Sequence, residues 1–449
     1  MASRKLPQEI TFTVADYDLG KARTAIGALD RFTPVQVNAE DPNALHDLFA
    51  ATRPEIVVDL LHPRFAPAVA SAAVDAKSHY INTAQSESGD GQLLGAQMRE
   101  LNGQFQEKEC VGIVGMGADP GISELLAREV LHGFHDDEQS VRQVTIFDGS
   151  TSKWLSGTRR PTMAGFSYSV FVDECTKSGL VWSAERGITQ LKPLTLGVPF
   201  PYGGTIGSQT GIHAEHEEIG DIAHAVSQEP WMRDVLKKCE EVSFQYGMSF
   251  EQYLLLTKIM KAKLHTNEPV KLHSVPRTNA AYVRAVTREM GTADVLNEPT
   301  TRELFTKYGL TASKNNLTIV PQTPLEFFTR LQPPPHPKER MSAESRIGPY
   351  IRTNDVAVYR SHHMTEDDAQ TRYGRSLVAV QTAAGPIVAT RMILDGVWKE
   401  PGVRAPIELP YSDAITAWGD VAGKCETENM TEQMRGHRNI YRCWDPSRS

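Results

Sequence analysis

A glycine-rich turn with an aspartate inside it is the segment of this sequence best suited to chemistry. Residues 111–121 (VGIVGMGADPG) form a short apolar strand that opens into Gly117, Asp119 and Gly121, before a helix predicted from Ile122. Backbone N–H groups of such a turn face an open crevice at the carboxyl edge of a parallel sheet. A tight turn without a ligand is the alternative. We favour a site, because three glycines and an aspartate fall within seven residues.

A carboxylate follows the first strand-like segment of the chain. Residues 9–15 (EITFTVA) are rich in strand-forming types and lead into Asp16. In dinucleotide-binding folds an acidic residue at this place accepts hydrogen bonds from the adenosine ribose and repels a 2′-phosphate, so Asp16 predicts NAD over NADP. The competing interpretation is that Asp16 or Asp18 only caps the next helix.

Histidine and acidic residues are crowded into residues 211–218 (GIHAEHEE). His213 and His216 lie three apart, but no further His or Cys cluster supplies the remaining ligands, so we predict no metal site. A solvated acidic loop is the first interpretation and a substrate-binding loop the second. No serine lies in a G-x-S-x-G elbow and no cysteine has catalytic surroundings. This leaves hydride chemistry, in which a cofactor carries the reaction and the protein orients it.

Alternating strands and helices must position these residues. Strand-like and helix-like segments alternate through the first 140 residues, which predicts parallel βαβ units in a doubly wound sheet. After that point turns and aromatic residues increase, and an α+β region is expected. Further strands are predicted at 141–147, 356–359 and 377–381, and helices at 231–263 and 386–395. The polar tail after residue 411 is expected to be loosely held.

The composition excludes several classes of protein. The 449 residues are 40% hydrophobic and 23% charged, the balance of a globular enzyme of two domains. A net charge of −8 argues against a nucleic-acid or anionic-membrane partner. Five scattered cysteines without a Cys-x-x-Cys pair are typical of reduced thiols. With no signal-like N-terminus and no apolar run near the roughly 20 residues of a membrane span, the predicted compartment is the cytoplasm.

Several segments, in their order along the chain, resemble the saccharopine dehydrogenase-like family, which includes saccharopine reductase, lysine 6-dehydrogenase, homospermidine synthase and carboxynorspermidine dehydrogenase. They are TVADYDLGKA (13–22), DPNAL (41–45), EIVVDLLHP (55–63), HYINTA (79–84) and GMGADPGISELLA (115–127). Their order and spacing together are specific. Looser agreement continues in DECTKSGLVW (173–182), GIHAEHEEI (211–219) and IVATRMILDGVWKEPGV (387–403).

The resemblance implies a Rossmann-type sheet with an inserted α+β substrate and dimerisation domain. The expected parts are a dinucleotide-binding domain at 1–140, the inserted domain at 141–375, a return to the first domain at 376–410 and a tail at 411–449. The implied activity is hydride transfer between NAD, or alternatively NADP, and a C–N bond of an amino acid, an amino-acid conjugate or a polyamine-like amine. A small-molecule amine or amino acid is the expected partner, and a homodimer the expected assembly.

The resemblance also implies roles for individual residues. Asp16 corresponds to the ribose carboxylate, and the remaining cofactor contacts are expected from Leu60, His62, Pro63, Asn82, Thr83, Ala84, Gly117, Pro120 and Gly121. Asp119 and His213 are the candidates for a general acid. Phe166 and Glu174 are candidate substrate contacts. Arg159 and Arg160 are candidate carboxylate anchors, because a guanidinium grips a carboxylate with two hydrogen bonds; a solvated basic pair is the alternative.

One departure from the family pattern limits this inference. The strand at 9–15 corresponds to the family's second strand, and the residues before it contain no glycine. We therefore expect the first β-α unit and its G-x-G-x-x-G phosphate turn to be missing, with the edges of the flanking strands exposed. Either the chain is shortened relative to its functional form or it binds nucleotide poorly, and the second case supports an alternative function as a non-catalytic binding or scaffold protein. The resemblance also leaves open an NAD-dependent synthase of the homospermidine synthase type.

Overall fold

A parallel sheet in two pieces forms the first half of the molecule. The computed structural model describes residues 5–85, 95–154, 168–261, 311–313, 316–318 and 341–432. The strands of the first half are β1 (Phe12–Asp16), β2 (Phe32–Gln36), β3 (Ile56–Asp59), β4 (His79–Asn82), β5 (Val111–Ile113) and β16 (Gly402–Arg404). β1 pairs with β2, while the other four form a sheet in the order β16-β5-β4-β3, and all of these pairs are parallel.

The break between the two pieces lies at a defined place. Within the described residues, β1 pairs only with β2, and β3 pairs only with β4. A complete dinucleotide-binding sheet has the strand order 3-2-1-4-5-6, which would place one more strand between β1 and β3. Val58 and Leu60 beside the break are 41% and 66% exposed, which is unusual for apolar residues of a central strand. The break lies where that additional strand would be, and none of the described residues fills it.

Helices cover both faces of this sheet, so it is doubly wound. The helices of this region are α1 (Leu19–Ile26), α2 (Pro42–Thr52), α3 (Ala66–Asp75), α4 (Ala96–Glu100), α5 (Asn102–Glu107), α6 (Ile122–Asp136) and α12 (Leu377–Leu394). Period-two alternation sends Tyr80 into a core with α2, α3 and α5, and Ile81 into a core with α6 and α12. The predicted α/β fold is confirmed.

A nine-stranded mixed sheet forms the second half. Its strands are β6 (Gln143–Trp154), β7 (Leu180–Ser183), β8 (Gly187–Gln190), β9 (Leu196–Gly203), β10 (Gly207–His213), β11 (Glu241–Met248), β14 (Met341–Arg352), β15 (Ala357–Thr365) and β17 (Cys425–Asn429). β6 and β11 are parallel neighbours, and the other pairs are antiparallel. A separate short hairpin joins β12 (Thr311–Ser313) and β13 (Asn316–Thr318).

The remaining helices of the described chain pack on this second sheet or join it to the first. They are α7 (Tyr168–Thr176), α8 (Glu217–Gln228), α9 (Pro230–Leu236), α10 (Phe250–Lys261), α11 (Glu366–Tyr373) and α13 (Ser412–Val421). Helix α6 bridges the two halves, since Leu125 packs in the core of the first sheet and Leu131 in that of the second. The glycine-rich turn at the start of α6 is therefore held where the two sheets meet.

Three predicted elements are wrong. Residues 377–381 were expected as a strand but are the first turns of α12, because no turn separates them from the helical residues that follow. The helix expected at 231–263 is interrupted by β11, which pairs with three other strands. The tail is not loosely held up to residue 432: Trp418 of α13 is fully buried and β17 pairs with β15.

Helix α12 has the length and composition of a membrane span. Its mean hydropathy is 1.5, but 67% of it is buried inside the fold. A largely buried apolar helix of this kind is also what the core of a folded domain contains. Its apolar residues are accounted for by packing, with Val380, Val388 and Met392 in the core of the first sheet.

Candidate active site

The turn that connects β5 to α6 is closed on itself. Gly117 N donates to Pro120 O at 2.8 Å, and Gly117 and Gly121 form a β-bridge. Gly121 has φ +135°, and a Cβ at this position would lie 2.1 Å from Gly117 O. A Cβ on Gly117 would lie 3.0 Å from Thr83 O. Both glycines are therefore required by close backbone approach, and the closed turn fixes the direction of Asp119.

Asn82 connects this turn to the strands beside it. Its Oδ1 accepts from Gly115 N at 2.8 Å, and its carbonyl accepts from Met116 N at 2.8 Å. Its Nδ2 donates to Tyr80 Oη, which in turn donates to Asp59 at 2.8 Å. Asn82 was predicted as a cofactor contact, and the structure shows its side chain buried in this network. Any contact with a cofactor would therefore come through the turn that Asn82 holds.

The other predicted cofactor residues lie at the carboxyl ends of β1, β3, β4 and β5. Asp16 ends β1 and accepts from Asp18 N at 2.8 Å, while Asp18 caps α1. The capping role therefore belongs to Asp18. The residues that follow β3, β4 and β5 at this same edge are Leu60, His62, Pro63, Thr83, Ala84, Gly117, Pro120 and Gly121.

An exposed apolar patch marks the same edge. Tyr17 follows β1 and is 73% exposed, and Leu60 and Leu61 follow β3 and are 66% and 44% exposed. Val58, Leu60 and Leu61 are three exposed apolar side chains within four residues, a local group that monomeric proteins normally cover or use for binding. A flat cofactor ring laid over this patch would remove it from water, so the described residues fit a dinucleotide at this edge.

A cluster of carboxyl groups lies on the other side of the turn, between the two sheets. Asp119 comes from the turn and Asp148 from β6, and their side chains share a hydrogen bond. Glu174 comes from α7, and Glu217 and Glu218 come from the first turn of α8. We call these five residues the carboxylate cluster. The members of this cluster lie up to about 100 positions apart in sequence. They meet because the turn before α6, strand β6, helix α7 and the start of α8 all lie at the junction of the two halves.

His216 is the imidazole of this cluster. It hydrogen-bonds with Glu218 through Nδ1, and its ring stacks on Phe244 at 3.7 Å between centroids. Tyr246 Oη donates to Glu174 at 2.8 Å and lies 3.5 Å from His216 Nε2. These contacts connect the carboxylates of α7 and α8 through one phenol and one imidazole. Proton exchange along hydrogen bonds of this kind is the usual basis of acid–base catalysis.

Burial changes the protonation of these groups. Burial raises the pKa of Asp119 well above its usual range, and the neighbouring Asp148 raises it further, whereas His216 lowers it. Burial likewise raises the pKa of Asp148, to about 7. Burial lowers the pKa of His216, but Glu218, Glu217 and Glu174 outweigh it and raise this pKa well above its usual range. The cluster therefore holds protons at neutral pH and can exchange them with a substrate.

The structure does not bring His213 together with Asp119. His213 pairs with Gln245 in the sheet, and Nε2 of the two side chains lie 3.4 Å apart. Gln245 and Tyr246 are successive residues of β11, so their side chains point to opposite faces of the sheet. His213 lies beside Gln245 on one face, and His216 lies beside Tyr246 on the other. Burial lowers the pKa of His213. The histidine beside Asp119 is His216, which the sequence analysis did not choose.

The predicted substrate residues divide between the described and the other parts of the chain. Glu174 lies in the carboxylate cluster, as a substrate contact would. Phe166, Arg159 and Arg160 fall outside the described residues.

The ligand atoms of His216, Glu217 and Glu218 lie within 4.8 Å of one another, a spacing that a metal ion could bridge. The absence of a metal therefore stays a prediction.

A second group of charged residues continues from the cluster towards the first sheet. Arg99 of α4 pairs with Asp221 at 2.5 Å and with Glu408 at 3.2 Å. Gln85, which follows β4, donates through its backbone N to Glu217 at 3.2 Å and through Nε2 to Asp221. Glu124 of α6 is fully buried beside this group. None of these residues is predicted from the sequence, because they converge only through long-range packing.

Comparisons with known proteins identify a domain family and solved structures to which this chain is similar. Residues 2–113 match the family described as the saccharopine dehydrogenase NADP binding domain. No curated protein sequence matches the chain. The fold is similar to that of apo saccharopine dehydrogenase (L-Glu forming) from Saccharomyces cerevisiae, with 17% identity and a TM-score of 0.64 over 94% of this chain and 95% of that one.

A second solved structure has the same fold. It is a homospermidine synthase from Legionella pneumophila in complex with NAD, with 11% identity and a TM-score of 0.59 over 94% of this chain and 91% of that one. The family that residues 2–113 match is a nicotinamide-dinucleotide-binding domain, which confirms the predicted class of cofactor. The family match is limited to residues 2–113, and the two solved structures show that the chain shares their fold.

Proposed function

We propose that this protein is an NAD(P)-dependent oxidoreductase that transfers hydride at a C–N bond of an amine-bearing substrate. The carrying observation is an excess of buried and half-buried carboxyl groups among the described residues where the two sheets meet, beside the turn that contains Asp119. The described carboxyl groups there are Asp119, Glu124, Asp148, Glu174, Glu217, Glu218, Asp221 and Glu408, and their described cationic neighbours are Arg99 and His216. Buried charge of one sign is expected to be balanced by a ligand of the other sign.

A protonated amine is the ligand that this site favours. Carboxyl groups surround the position next to the turn, and an ammonium or iminium group bound there would displace protons that they hold and would be stabilised by the resulting negative charge. Orientation of the amine carbon against the cofactor edge would be the main catalytic contribution of the protein. When bound, the nicotinamide supplies or accepts the hydride. A substrate rich in carboxylates would instead need arginines, and Arg99, the arginine that the described residues place beside this group, is already paired with Asp221 and Glu408.

The chain's own residues would bind both molecules and move the proton. Leu60 and Leu61 would lie under the cofactor ring, and Asp16 would hold the ribose. Asp119 would face the substrate nitrogen from the turn. His216, paired with Glu218, would take up or return the proton that the nitrogen exchanges as the C–N bond changes order.

Fluorescence titration and turnover test this proposal together. NADH and NADPH should each be titrated into the intact protein, and reduction of NAD⁺ and NADP⁺ should then be followed with a panel of mono-, di- and polyamines and basic amino acids. We expect binding of at least one nucleotide and amine-dependent reduction. The proposal fails if neither nucleotide binds and no amine supports turnover.

Asp16 is predicted to set the preference between the two nucleotides. The Asp16→Ser variant should bind NADPH about tenfold more tightly relative to NADH, because the carboxylate that repels a 2′-phosphate is gone. Asp18→Asn is the matched control: asparagine also caps helices, so α1 keeps its N-cap and the preference should not change. An unchanged ratio of the two dissociation constants in Asp16→Ser would show that Asp16 does not contact the ribose.

The raised pKa of Asp148 predicts how stability depends on pH. Its pKa is about 7 in the folded protein, because of burial, against about 3.9 unfolded. The folded state therefore holds this proton more tightly, and the associated stability is present below about pH 4 and lost as the pH rises to about 7. Ligand-free protein should show a falling Tm between about pH 4 and 7, and Asp148→Asn should show a smaller fall by a few degrees.

The control for this measurement is Asp136→Asn, an exposed aspartate at the end of α6. Its melting curves should keep the parent's pH dependence. Equal slopes of Tm against pH in the parent and in Asp148→Asn would contradict the assignment of a buried, protonated Asp148.

The break between β1 and β3 favours a second candidate function. A relative without the central strand would bind nucleotide weakly, because the helix N-terminus of the phosphate turn supplies most contacts to the pyrophosphate. Such a protein would keep the fold and act as a binding or scaffold protein. The nucleotide titration separates the two: binding by neither NADH nor NADPH, with an intact fold, is the result expected of the scaffold.

A further inference from the structure

Ser123 is a fully buried serine in the first turn of α6, the helix that follows the Asp119 turn. Its backbone N donates to Ala118 O at 3.2 Å, which ties the residue to that turn. Its Oγ donates to Glu218 Oε1 at 2.9 Å. A serine in a helix commonly bonds its own backbone, whereas this hydroxyl is directed at a carboxyl group in the first turn of α8. The hydrogen bond therefore joins the turn to the helix that carries the partner of His216.

The two carboxyl oxygens of Glu218 have different partners. Oε1 accepts from Ser123, and Oε2 hydrogen-bonds with His216 Nδ1. A hydrogen bond donated to a carboxyl group favours its charged form, and a charged carboxylate can only accept. The hydrogen atom between Glu218 and His216 is therefore expected on Nδ1.

The position of the imidazole ring follows from two contacts. The ring of His216 lies on Phe244, with centroids 3.7 Å apart and planes 5° apart. This stacking fixes the plane of the ring but not the edge that faces Glu218, which the hydrogen bond decides. With Nδ1 on Glu218, Nε2 lies 3.5 Å from Tyr246 Oη, which donates to Glu174. Nε2 is therefore the nitrogen that faces the rest of the carboxylate cluster.

The ring has other acidic neighbours that could compete for Nδ1. Glu217 Oε2 lies 3.6 Å from Nδ1, on the same helix as Glu218. The further acidic groups that act on this imidazole come from α7, the turn and β6, and they are Glu174, Asp119 and Asp148. A contact that holds one acid in place decides which of them the ring uses. Ser123 provides that contact for Glu218.

We propose that Ser123 is a positioning residue for proton exchange at His216: through Glu218 it keeps the hydrogen atom on Nδ1 and makes Nε2 the nitrogen that exchanges a proton. This inference rests on the proposed function and deepens it, because it names the exchanging atom and the hydroxyl that selects it. A buried carboxylate holds the imidazole of serine-hydrolase triads in the same manner. Ser123 itself touches neither substrate nor cofactor, and no covalent step takes place at it.

Nitrogen-15 NMR tests the position of the hydrogen atom without any turnover. Ligand-free protein labelled at histidine and treated with a chelator is titrated towards high pH, and the signals of His216 are assigned by their loss in His216→Asn. In the parent, Nε2 should lose its proton while Nδ1 keeps it. In Ser123→Ala, the ratio of the Nδ1–H to the Nε2–H form should fall about tenfold or more, the usual contribution of a hydrogen bond to a charged group.

Two further variants complete this measurement. Ser227→Ala, an exposed serine of the same helix as Glu218, is the matched control and should give the parent's spectrum. Ser123→Cys nearly keeps the volume of serine but has only a weak donor. It should shift the ratio in the same direction as alanine, by a smaller factor, and it decides the question if Ser123→Ala does not fold.

A double-mutant cycle tests whether the serine acts through Glu218. Ser123→Ala should lower kcat for amine oxidation about tenfold or more and leave the KM for the nicotinamide within about twofold. Glu218→Gln removes the carboxylate that the serine holds. In that background Ser123→Ala should change kcat by no more than about twofold, because the two residues act as one unit.

The outcomes separate this inference from the proposed function. An Nε2–H form in the parent, or the same ratio of forms in the parent and in the folded serine variants, would overturn it. A loss of kcat in Ser123→Ala that is equally large in the Glu218→Gln background would also overturn it, since the serine would then act by another route. A changed ratio in Ser123→Ala, with no amine turnover by the parent, would support the positioning role while the oxidoreductase proposal fails.

Discussion

Replacing His216 by asparagine is expected to lower kcat for amine oxidation about 10²- to 10⁴-fold, the usual contribution of a positioned acid or base. The reason is its place between Glu218 and Tyr246, where it is the described imidazole in contact with the carboxylate cluster. The KM for the nicotinamide should stay within about twofold, and the pH dependence of kcat should lose the step that His216 contributes.

The matched control is the histidine on the other face of the sheet. His213→Asn removes an equally buried imidazole that packs against Gln245. It should keep kcat within about threefold of the parent. Thermal melts of both variants show whether the fold survives. The reverse result, an inactive His213→Asn beside an active His216→Asn, would return the catalytic assignment to the residue expected from sequence.

Replacing Gly121 by alanine should damage the site through the backbone. The residue has φ +135°, and a Cβ would lie 2.1 Å from Gly117 O and 2.6 Å from Gly117 N, so the turn cannot keep its shape. We expect a loss of about 3 kcal/mol or more in the free energy of unfolding, and loss of activity because Asp119 is no longer held in place. Denaturant unfolding and turnover measure the two effects.

Gly133→Ala, within the helix α6 that follows Gly121, is the control for that substitution. A Cβ there would meet nothing within 4 Å, and alanine favours the helix by about 0.5–1 kcal/mol. This variant should be as stable as the parent or slightly more stable, with unchanged activity. A Gly121→Ala variant that is also as stable as the parent would mean that the turn has more room than the structure gives it.

The sequence predicted the first half of the fold well because local patterns determine it. Strands and helices alternate up to residue 140, and each strand pairs with a neighbour close in sequence. The second half depends on long-range pairing: β6 lies between β11 and β14, about 100 and 200 residues away. Pairing of that kind leaves no short-range signal, and residues 377–381 show that an apolar run alone does not distinguish a strand from a buried helix.

Strand alternation could not have separated the two histidines. Residues 211–214 are all buried, and β10 ends at His213, so no strand period assigns a face to His216. Glu124, Gln85 and Asp221 could not have been found in this way either, because their meeting depends on how α6 and α8 pack across the junction of the two sheets.

Deuterium transfer tests the central claim most directly. The intact protein is incubated with NAD⁺ or NADP⁺ and an amine that carries deuterium on the carbon atoms next to nitrogen, and the nicotinamide is then recovered for mass analysis. Hydride transfer at a C–N bond with net reduction predicts deuterium at ring carbon 4 of the recovered reduced nicotinamide. Recovery of unlabelled nicotinamide from protein shown to bind both molecules would contradict the proposed function.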